Sequence, residues 1–484
     1  MIEPHLTSRA TTGLYLAAAF LCLLAHLSWA LPLYQIHDRI LGASLFFVFL
    51  IWLRRAFRSQ YRFVPIIPLY LFQVYLQYGL PQFSHRFLLT MSGRYVPSAT
   101  AMTTASLLAL GGEIALLLGY GAGTVLKRRV GVSLAERLSG PRMEWRLPVM
   151  VLAILGVVWH LAVSFGSSVP LEYSFLVASV FNPNLGLILV YLLSHASGSR
   201  PLRQLAIAMT LFLALAGLMT SMLELMLTPV LIFLACEWIW KKRTNFVWVL
   251  ALVVFTLVMN PAKLLFRKMD WRRADPITTW SGVEQRIDKW NDSLGRTLTG
   301  ERAIEHMADA NSTRTGALLQ LAQVVDWVPS RVPYQRGDVI IDSLIYLIPR
   351  FAWPEKPSIS DLVNNRFALA FRVSDRRGLR STTYGIVPPA DGYWDFGAMS
   401  ALAYLAATGL LLALVLAPSA QRPTTREQIV ALLFCGTHLQ VVLPMSMLIP
   451  WTASLVIATW LTFTILEVVS PTSAPGTEEQ RIDP

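Results

Sequence analysis

The chain of 484 residues is 54% hydrophobic and 14% charged, with a mean hydropathy of +0.51. Soluble domains carry about 25% charged residues, so this composition excludes an ordinary soluble enzyme, and the abundant apolar surface excludes a disordered chain. The formal net charge of +12 arises from 41 Lys and Arg against 29 Asp and Glu. Much of that excess lies in short loops, where it sets membrane orientation, so the sequence predicts no nucleic-acid partner.

Apolar runs of the length that crosses a bilayer recur along the chain. The first follows Arg9 and lacks a clear small-residue cleavage site before Pro32, so we interpret it as an uncleaved span. The sixth is interrupted by Asn-Pro-Asn at 182–184, which predicts a broken or re-entrant element. The twelve predicted spans cover residues 12–33, 40–53, 63–81, 99–120, 147–165, 173–196, 204–221, 224–240, 244–260, 397–417, 428–447 and 449–469.

Basic residues are distributed unequally between the loops that join these spans. Loops on the same side as the N-terminus carry 17 Lys and Arg, whereas the short loops on the other side carry 3. Because basic loops stay inside, both termini are predicted to be cytoplasmic. The sequence therefore predicts an all-α, multi-pass protein of a bacterial inner (cytoplasmic) membrane, with about twelve transmembrane helices in contact with the lipid bilayer.

This pattern divides the chain into four segments. Residues 1–260 hold spans one to nine, and residues 261–396 form one large periplasmic loop. Residues 397–469 hold spans ten to twelve, and residues 470–484 form a polar cytoplasmic tail. The basic residues of the long loop do not contradict this orientation, because long loops cross the membrane largely regardless of their charge.

The large loop is predicted to carry helices of its own, because a structureless loop of that length is uncommon. Residues 316–327 are apolar at helical spacing, and residues 338–347 form a second apolar stretch that Pro349 ends. Both stretches are suited to lie along the outer membrane surface as amphipathic helices.

Several common catalytic motifs are missing from the sequence. There is no G-x-x-x-x-G-K-[ST] run for a nucleotide, no D-x-D for a divalent metal and no H-x-x-x-H pair. Cys22, Cys236 and Cys435 each lie within an apolar run and lack metal-ligand spacing, so a disulfide framework is not expected either. We therefore expect no metal and no cofactor.

The segment 348–357 reads Ile-Pro-Arg-Phe-Ala-Trp-Pro-Glu-Lys-Pro, and its three prolines favour a rigid, extended backbone. Arg350 and Lys356 flank Phe351 and Trp353. Basic groups pair with phosphate oxygens, and aromatic faces cover the apolar side of a sugar ring. The segment indicates either a site for a ligand with phosphate and sugar parts, or an interfacial belt that anchors the loop at the membrane.

Acidic residues occur before the tenth span and within earlier ones. Asp395 is interpreted as a helix cap, whereas Asp391 is either a general base or a turn aspartate. Glu113 and Glu224 lie in apolar spans, where ionisable groups are costly and face the bundle interior or water. For Glu113 we expect a paired structural role, while Glu224 is predicted near the outer face, within reach of the loop.

The string Pro-Arg-Phe-x-Trp-Pro-x-Lys-Pro at 349–357 follows Tyr334-x-x-Gly337 and precedes Gly-Tyr-Trp-Asp-Phe-Gly at 392–397. Together with one large outer loop late in the chain, it resembles the oligosaccharide repeat-unit polymerases of the O-antigen (Wzy) type. The resemblance implies a GT-C-like helical bundle and a membrane glycosyltransferase of exopolysaccharide biosynthesis. Such an enzyme polymerises undecaprenyl-diphosphate-linked oligosaccharides at the outer face of the membrane, without metal and with inversion.

The resemblance also implies roles for particular side chains. Asp391, or failing it Glu224, would take the proton from the acceptor hydroxyl. Fixed positive charge would stabilise the departing diphosphate, with Arg350 and Arg314 foremost. The proposed cations are Arg314, Arg336, Arg350, Lys356 and Arg380. The residues that would line the sugar path are Tyr334, Trp353, Tyr393 and Trp394. A flippase and a chain-length regulator are the expected protein partners.

Three other functions remain open. An O-antigen ligase shares the architecture but uses a lipid A core as its acceptor. A glycan-lipid flippase needs a polar central cavity, and the sparse charges outside the large loop argue against one. A membrane protease could use Cys435 with His438, three residues further along the span, and a Cys435→Ala variant would test this alternative.

Overall fold

The computed structural model describes fifteen ranges of the chain. They are residues 4–30, 34–58, 66–83, 96–130, 145–164, 182–219, 223–241, 246–270, 280–299, 316–348, 352–357, 360–373, 385–417, 425–438 and 445–469. Within these ranges all regular structure is helical and no strand occurs. The prediction of an all-α protein is thereby confirmed for them.

Nine helices precede residue 271 in the described ranges, and they correspond to the first nine predicted spans. They are α1 Pro4–Trp29, α2 Ile36–Arg58, α3 Ile66–Val74, α4 Ala99–Val130, α5 Arg146–Ser164, α6 Pro183–Ser197, α7 Arg200–Met219, α8 Leu223–Lys241 and α9 Phe246–Asp270. Helix α3 continues into a π-turn at Tyr75–Gly79 and a 3-10 turn at Leu80–Phe83.

Eight further helices follow in the described part of the chain. They are α10 Trp280–Thr299, α11 Ala317–Trp327, α12 Asp338–Leu347, α13 Arg366–Ala370, α14 Pro388–Phe396, α15 Ala398–Leu416, α16 Thr425–His438 and α17 Met445–Val469. Helix α13 is preceded by a π-turn at Ser360–Asn365. The two helices predicted within the large loop, at 316–327 and 338–347, are confirmed as α11 and α12.

The Asn-Pro-Asn run starts a helix. Asn182 has an extended conformation, and its side chain accepts a hydrogen bond from the backbone N–H of Asn184 at 2.9 Å. Pro183 occupies the first helical position, where its missing N–H costs nothing. The run predicted to interrupt the sixth span therefore supplies the N-cap and the first helical residues of α6.

Five of the described helices are long and apolar enough to cross a membrane. They include Thr12–Trp29, Ile36–Arg55, Ala99–Arg129, Arg200–Met219 and Ala398–Leu416. Shorter apolar helices occupy Arg146–Ala162, Leu225–Trp240 and Leu455–Val469. Large apolar side chains on the outer faces, such as Leu16, Phe20 and Leu118, are exposed, as expected for contact with lipid. The chain is thus a membrane protein.

The chain divides into two compact units. The first comprises Met1–Ser133, Ala308–Arg422 and Val441–Pro450, and the second comprises Leu134–Met307, Pro423–Gln440 and Trp451–Pro484. The large loop predicted as one segment is therefore shared between them. Helix α10 belongs to the second unit, whereas α11 to α14 belong to the first.

In the first unit, α4 and α15 pack with their backbones in contact. A Cβ atom on Gly119 would lie 1.9 Å from the carbonyl oxygen of Ala406, and one on Gly409 would lie 2.0 Å from that of Leu116. Small residues let membrane helices approach this closely, and dispersion then holds the helices together. This pair carries α14 at its end, because only Gly397 separates α14 from α15.

Helix α11 forms the centre of the first unit. All eight residues from Ala317 to Val324 are buried, and Leu318 and Leu321 pack with Met102 of α4 in one apolar cluster. Residues 317–324 therefore lack the uncovered face of a surface-lying amphipathic helix, and the position of α11 relative to the membrane stays a prediction. Its two glutamines are accommodated inside because their amides are hydrogen-bonded, which removes most of the cost of burying them.

The second unit is held together by aromatic and polar contacts between its helices. The Trp290 ring of α10 stacks on Phe266 of α9 at 4.6 Å, and its indole N–H donates to the carbonyl oxygen of Leu218 at 3.1 Å. In α8, Glu237 accepts a hydrogen bond from the hydroxyl of Tyr191 at 2.9 Å.

Candidate active site

Two motif segments that lie far apart in the sequence are joined in the first unit. The backbone N–H of Gln335 donates to the carbonyl oxygen of Trp394 at 3.1 Å, and that of Arg336 donates to the carbonyl oxygen of Asp395 at 3.2 Å. The next N–H, of Gly337, donates to the Asp395 carboxylate. The turn at 334–337 and helix α14 therefore form one rigid element.

Asp395 is the anchor of this junction. It is completely buried, and its carboxylate accepts hydrogen bonds from the N–H of Gly337 and from the hydroxyl of Tyr404 in α15. The prediction that Asp395 is the N-cap of the following span is wrong. Asp395 lies in the last turn of α14, and the N-cap of α15 is Gly397. Its carboxylate instead ties the start of α12 to the α14–α15 connection.

Arg336 has an unusual backbone. Its φ is 58°, in the left-handed region, and the following Gly337 has a φ of 107°. For a residue other than glycine this conformation costs about 1–2 kcal/mol. It is held here by the hydrogen bond to Asp395, while the guanidinium-bearing side chain is exposed. Such outliers concentrate at functional sites, and this one fixes the direction in which a cation leaves the surface.

The aromatic residues of the two segments differ in accessibility. Tyr334 and Tyr393 are half-buried, and burial, with a smaller contribution from Tyr334, raises the pKa of the Tyr393 hydroxyl. Trp394 is 4% exposed, and its indole N–H donates to the carbonyl oxygen of Pro333 at 3.0 Å. The structure therefore places Trp394 in the core and leaves the two tyrosines partly accessible.

Lys356 and Trp353 lie on the proline-rich segment. The Lys356 ammonium donates to the carbonyl oxygen of Ile348 at 2.7 Å and lies 5.7 Å from the centre of the Tyr346 ring. Carbonyl groups at the end of a helix attract cations, so Lys356 stabilises the C-terminal end of α12. Trp353 is exposed by 39%, as an interfacial or sugar-binding aromatic residue would be.

A group of charged residues that sequence reasoning missed lies on the inner side of α12. Arg366 donates to Asp338 at 2.7 Å and to Asp342 at 2.9 Å. The two aspartates are four residues apart, so they lie on one face of α12, and that spacing was the available signal. Burial raises the pKa of the Asp342 carboxyl, while the Arg366 guanidinium beside it acts in the opposite direction.

Replacing Arg366 with Met is expected to lower the free energy of unfolding by about 2–4 kcal/mol, because Asp342 would stay buried without its cation. The pKa of Asp342 would then rise further, so the folded variant would favour the protonated carboxyl. The loss of stability should be smallest below the ordinary Asp pKa near 3.8, where Asp342 is protonated in the folded and the unfolded chain. It should grow as the pH rises above the raised pKa that Asp342 has in the unsubstituted protein. Thermal unfolding in detergent at several pH values measures this.

A matched control is available on α10. Arg296 pairs with Asp292 at 3.0 Å, but both side chains are largely exposed. Arg296→Met should change the free energy of unfolding by less than about 1 kcal/mol, because exposed ion pairs contribute little. Equal effects of the two substitutions would show that the charged group on the inner side of α12 adds nothing beyond a surface ion pair.

Asp391 lies inside α14 and is 2% exposed. The helix crosses α15 closely here, since a Cβ atom on Gly392 would lie 2.8 Å from the Cα of Ala401. The chain that leads into α14 is held by Gln320, whose amide donates to Gly385 at 2.8 Å and accepts from Val387 at 2.9 Å. A role for Asp391 as general base stays a prediction.

Other predicted site residues belong to parts of the chain that the structure does not describe. Arg314, Arg350 and Arg380 fall outside the described ranges. Glu224 lies in α8, in the second unit, but its side chain is not among the described ones. The side chains of Cys435 and His438 in α16 are not among the described ones either, so the protease alternative is untested.

A family model described as "Domain of unknown function (DUF8712)" matches residues 149–442, which is more than half of the chain. The matched range includes the joined motif segments, α12 and the charged residues on its inner side. No curated protein and no solved structure matches the chain.

Proposed function

This chain belongs to the family described as a domain of unknown function (DUF8712), and we propose that it polymerises undecaprenyl-diphosphate-linked oligosaccharide repeat units at the outer face of a bacterial inner membrane. The proposal includes about twelve spans in a GT-C-like bundle, with both termini cytoplasmic and the segment 261–396 periplasmic. The growing glycan would pass to a new lipid-linked unit without a metal and with inversion of the anomeric centre.

The observation that carries the proposal is the junction of the two motif segments. Residues 334–337 and 392–397 contributed separately to the resemblance, and they are hydrogen-bonded to one another through Asp395. The junction holds Arg336 as an exposed cation with Tyr334 and Tyr393 on the same two segments. An exposed cation on the same junction as two half-buried aromatic rings suits a ligand made of a diphosphate and a sugar.

Helix α12, which begins at Asp338, two residues after Arg336, has its polar face inward. Its buried residues are Val339, Asp342, Ser343 and Tyr346. Its exposed residues are Ile340, Ile341, Leu344 and Leu347. An outer face without polar groups is unfavourable in water and is satisfied by lipid, so α12 supports a site at the membrane surface, where a lipid-linked donor is held.

The length of α12 fits such a position. With 10 residues it measures about 15 Å, half of the roughly 30 Å that a membrane-crossing helix must span. Its start is next to the start of a candidate span, because Phe396 lies 3.8 Å from where a Cβ atom on Gly337 would be and α15 begins at Ala398. The diphosphate of a donor anchored in the outer leaflet would meet Arg336 at this level.

The proposed reaction requires few groups from the protein. The acceptor hydroxyl oxygen would form a bond to the anomeric carbon while the bond from that carbon to the diphosphate oxygen breaks. Asp391 would accept the hydroxyl proton, and the negative charge that develops on the leaving diphosphate would be stabilised by Arg336, Arg350 and the other proposed cations. Fixed cations can replace a metal in this role because they require no reorganisation during the reaction.

Reconstitution of the purified chain in lipid vesicles tests the proposal. Incubation with a purified undecaprenyl-diphosphate-linked repeat unit should yield a ladder of glycans of increasing length, and the ladder should persist in the presence of a chelator. A single transfer to added lipid A core, without a ladder, would indicate a ligase. Loss of the ladder with the chelator would contradict the metal-independent mechanism, and transport without any new glycosidic bond would indicate a flippase.

A further inference from the structure

Glu113 of α4 lies within the candidate membrane span Ala99–Arg129 and is 3% exposed. Among the described residues, neither of its carboxylate oxygens has a hydrogen-bond partner. The paired role expected from the sequence is therefore not found in the described part of the chain. A buried carboxyl group in this situation calls for its own explanation, because buried polar side chains are nearly always hydrogen-bonded.

The surroundings of Glu113 are apolar. Its neighbour Gly112 faces the side chain of Leu405 in α15, and Leu116, one turn later, is fully buried in a cluster with Ile67 of α3. Among the described residues, the hydroxyl of Tyr70 in α3 is close enough to the Glu113 carboxyl for electrostatic interaction. Neither α3 nor α15 presents a described basic group to the carboxyl.

Three basic residues of α2 and α4, which also pack in this unit, make contacts elsewhere. Arg54 donates to the hydroxyl of Thr12 at 2.6 Å, and the guanidinium of Arg55 lies 5.1 Å from the centre of the Trp52 ring. The ammonium of Lys127, at the far end of α4, donates to the carbonyl oxygen of Ala417 at 2.5 Å. None of these three cations reaches Glu113, whose carboxylate oxygens have no hydrogen-bond partner among the described residues.

We propose that Glu113 is a proton-binding site of the membrane unit, a carboxylic acid that stays neutral at pH 7. An ionised carboxylate that is buried without a cation or a hydrogen-bond donor is strongly unfavourable, and binding a proton removes that cost. The ligand is the proton itself, and no activity of the chain in glycan transfer is assumed. Uncharged carboxyl groups within membrane spans are the groups that proteins use to take up and release protons there.

Glu237 in α8 provides a contrast within the same chain. Its carboxylate accepts a hydrogen bond from the hydroxyl of Tyr191 at 2.9 Å and lies 3.6 Å from the guanidinium of Arg203. Glu237 therefore has both a hydrogen-bond donor and a cation, whereas Glu113 has neither among the described residues, so Glu237 serves as the control.

Infrared spectroscopy of the full chain in lipid vesicles distinguishes the two states, because a protonated carboxyl has a C=O stretching band that a carboxylate lacks. At pH 7 the spectrum of the Glu113→Gln variant should lack one such band that the unsubstituted chain shows. The Glu237→Gln variant should lose none. An unchanged set of protonated-carboxyl bands in Glu113→Gln would overturn the proposal.

A chemical measurement on the unsubstituted chain makes the test independent of how the variants fold. A hydrophobic carbodiimide adds to protonated carboxyl groups, and mass spectrometry of the digested chain locates the adduct. The adduct is expected on the peptide that contains Glu113 and not on the peptide that contains Glu237. Labelling of Glu237 equal to or greater than that of Glu113 would overturn the proposal.

Discussion

A Gly119→Ala substitution is expected to lower the free energy of unfolding of the first unit by about 1–3 kcal/mol, with a larger loss if the helices separate. The added Cβ atom would lie 1.9 Å from the carbonyl oxygen of Ala406, which belongs to the backbone and has no rotamer to escape into. Helices α4 and α15 would have to move apart along their common length. Thermal unfolding and the monodisperse fraction of the protein in detergent measure the loss.

Gly121, two residues further along α4, is the control. Apart from the adjoining backbone of α4 itself, no atom lies within 4 Å of the position that its Cβ atom would take, and the residue is exposed. Because alanine favours a helix over glycine by about 1 kcal/mol, Gly121→Ala should leave the protein equally stable or slightly more stable. If both substitutions had the same effect, the close approach of α4 and α15 would have no energetic importance.

An Arg336→Ala substitution is expected to reduce the yield of polymer by about 10²–10³-fold, the usual loss when one group that stabilises transition-state charge is removed. The protein should still insert and accumulate normally, since the side chain is exposed. Gel analysis of the glycan ladder in cells, with immunodetection of the protein, measures both quantities. The sequence motif predicts that Arg350→Ala abolishes polymer in cells while the protein still inserts and accumulates normally.

Three further variants distinguish the charge of Arg336 from its backbone strain and from the effect of another exposed cation. Arg336→Gly should remove the charge and also the cost of a φ of 58°, so the protein should be as stable as before and still lack polymer. Arg336→Lys should retain part of the activity. Arg331→Ala, which removes another exposed cation 5.3 Å from the Trp327 ring, should leave the ladder unchanged. A normal ladder from Arg336→Gly would exclude Arg336 from the site.

Two of the five described helices that begin in the large loop were predictable from the sequence because their signals are local. Gly316 precedes an apolar periodic run and Pro349 follows another, and the observed α11 and α12 begin and end within one residue of the predicted ranges 316–327 and 338–347. The candidate spans are local in the same sense, since length and hydropathy are properties of one segment. Local sequence could not indicate which sides of α11 other helices would cover.

The composition of the candidate site was predictable in part. Tyr334, Arg336 and Tyr393 were identified by residue type and motif, and they lie on two segments that are hydrogen-bonded together. Trp394 has the same residue chemistry, but it is buried. Arg366 was missed because nothing near it in the sequence shows that two aspartates of α12 lie beside it.

The sequence by itself determined that the described ranges are all-helical and belong to a membrane protein, and it located the apolar segments that form most of the described helices. Only the tertiary structure decided that α11 is buried, that Asp395 joins two distant segments, and that Glu113 has no partner among the described residues. The reason is physical: helix formation and hydropathy depend on neighbours in sequence. Burial, pairing and the state of a carboxyl depend on which distant groups the packing of α4 and α15 brings together.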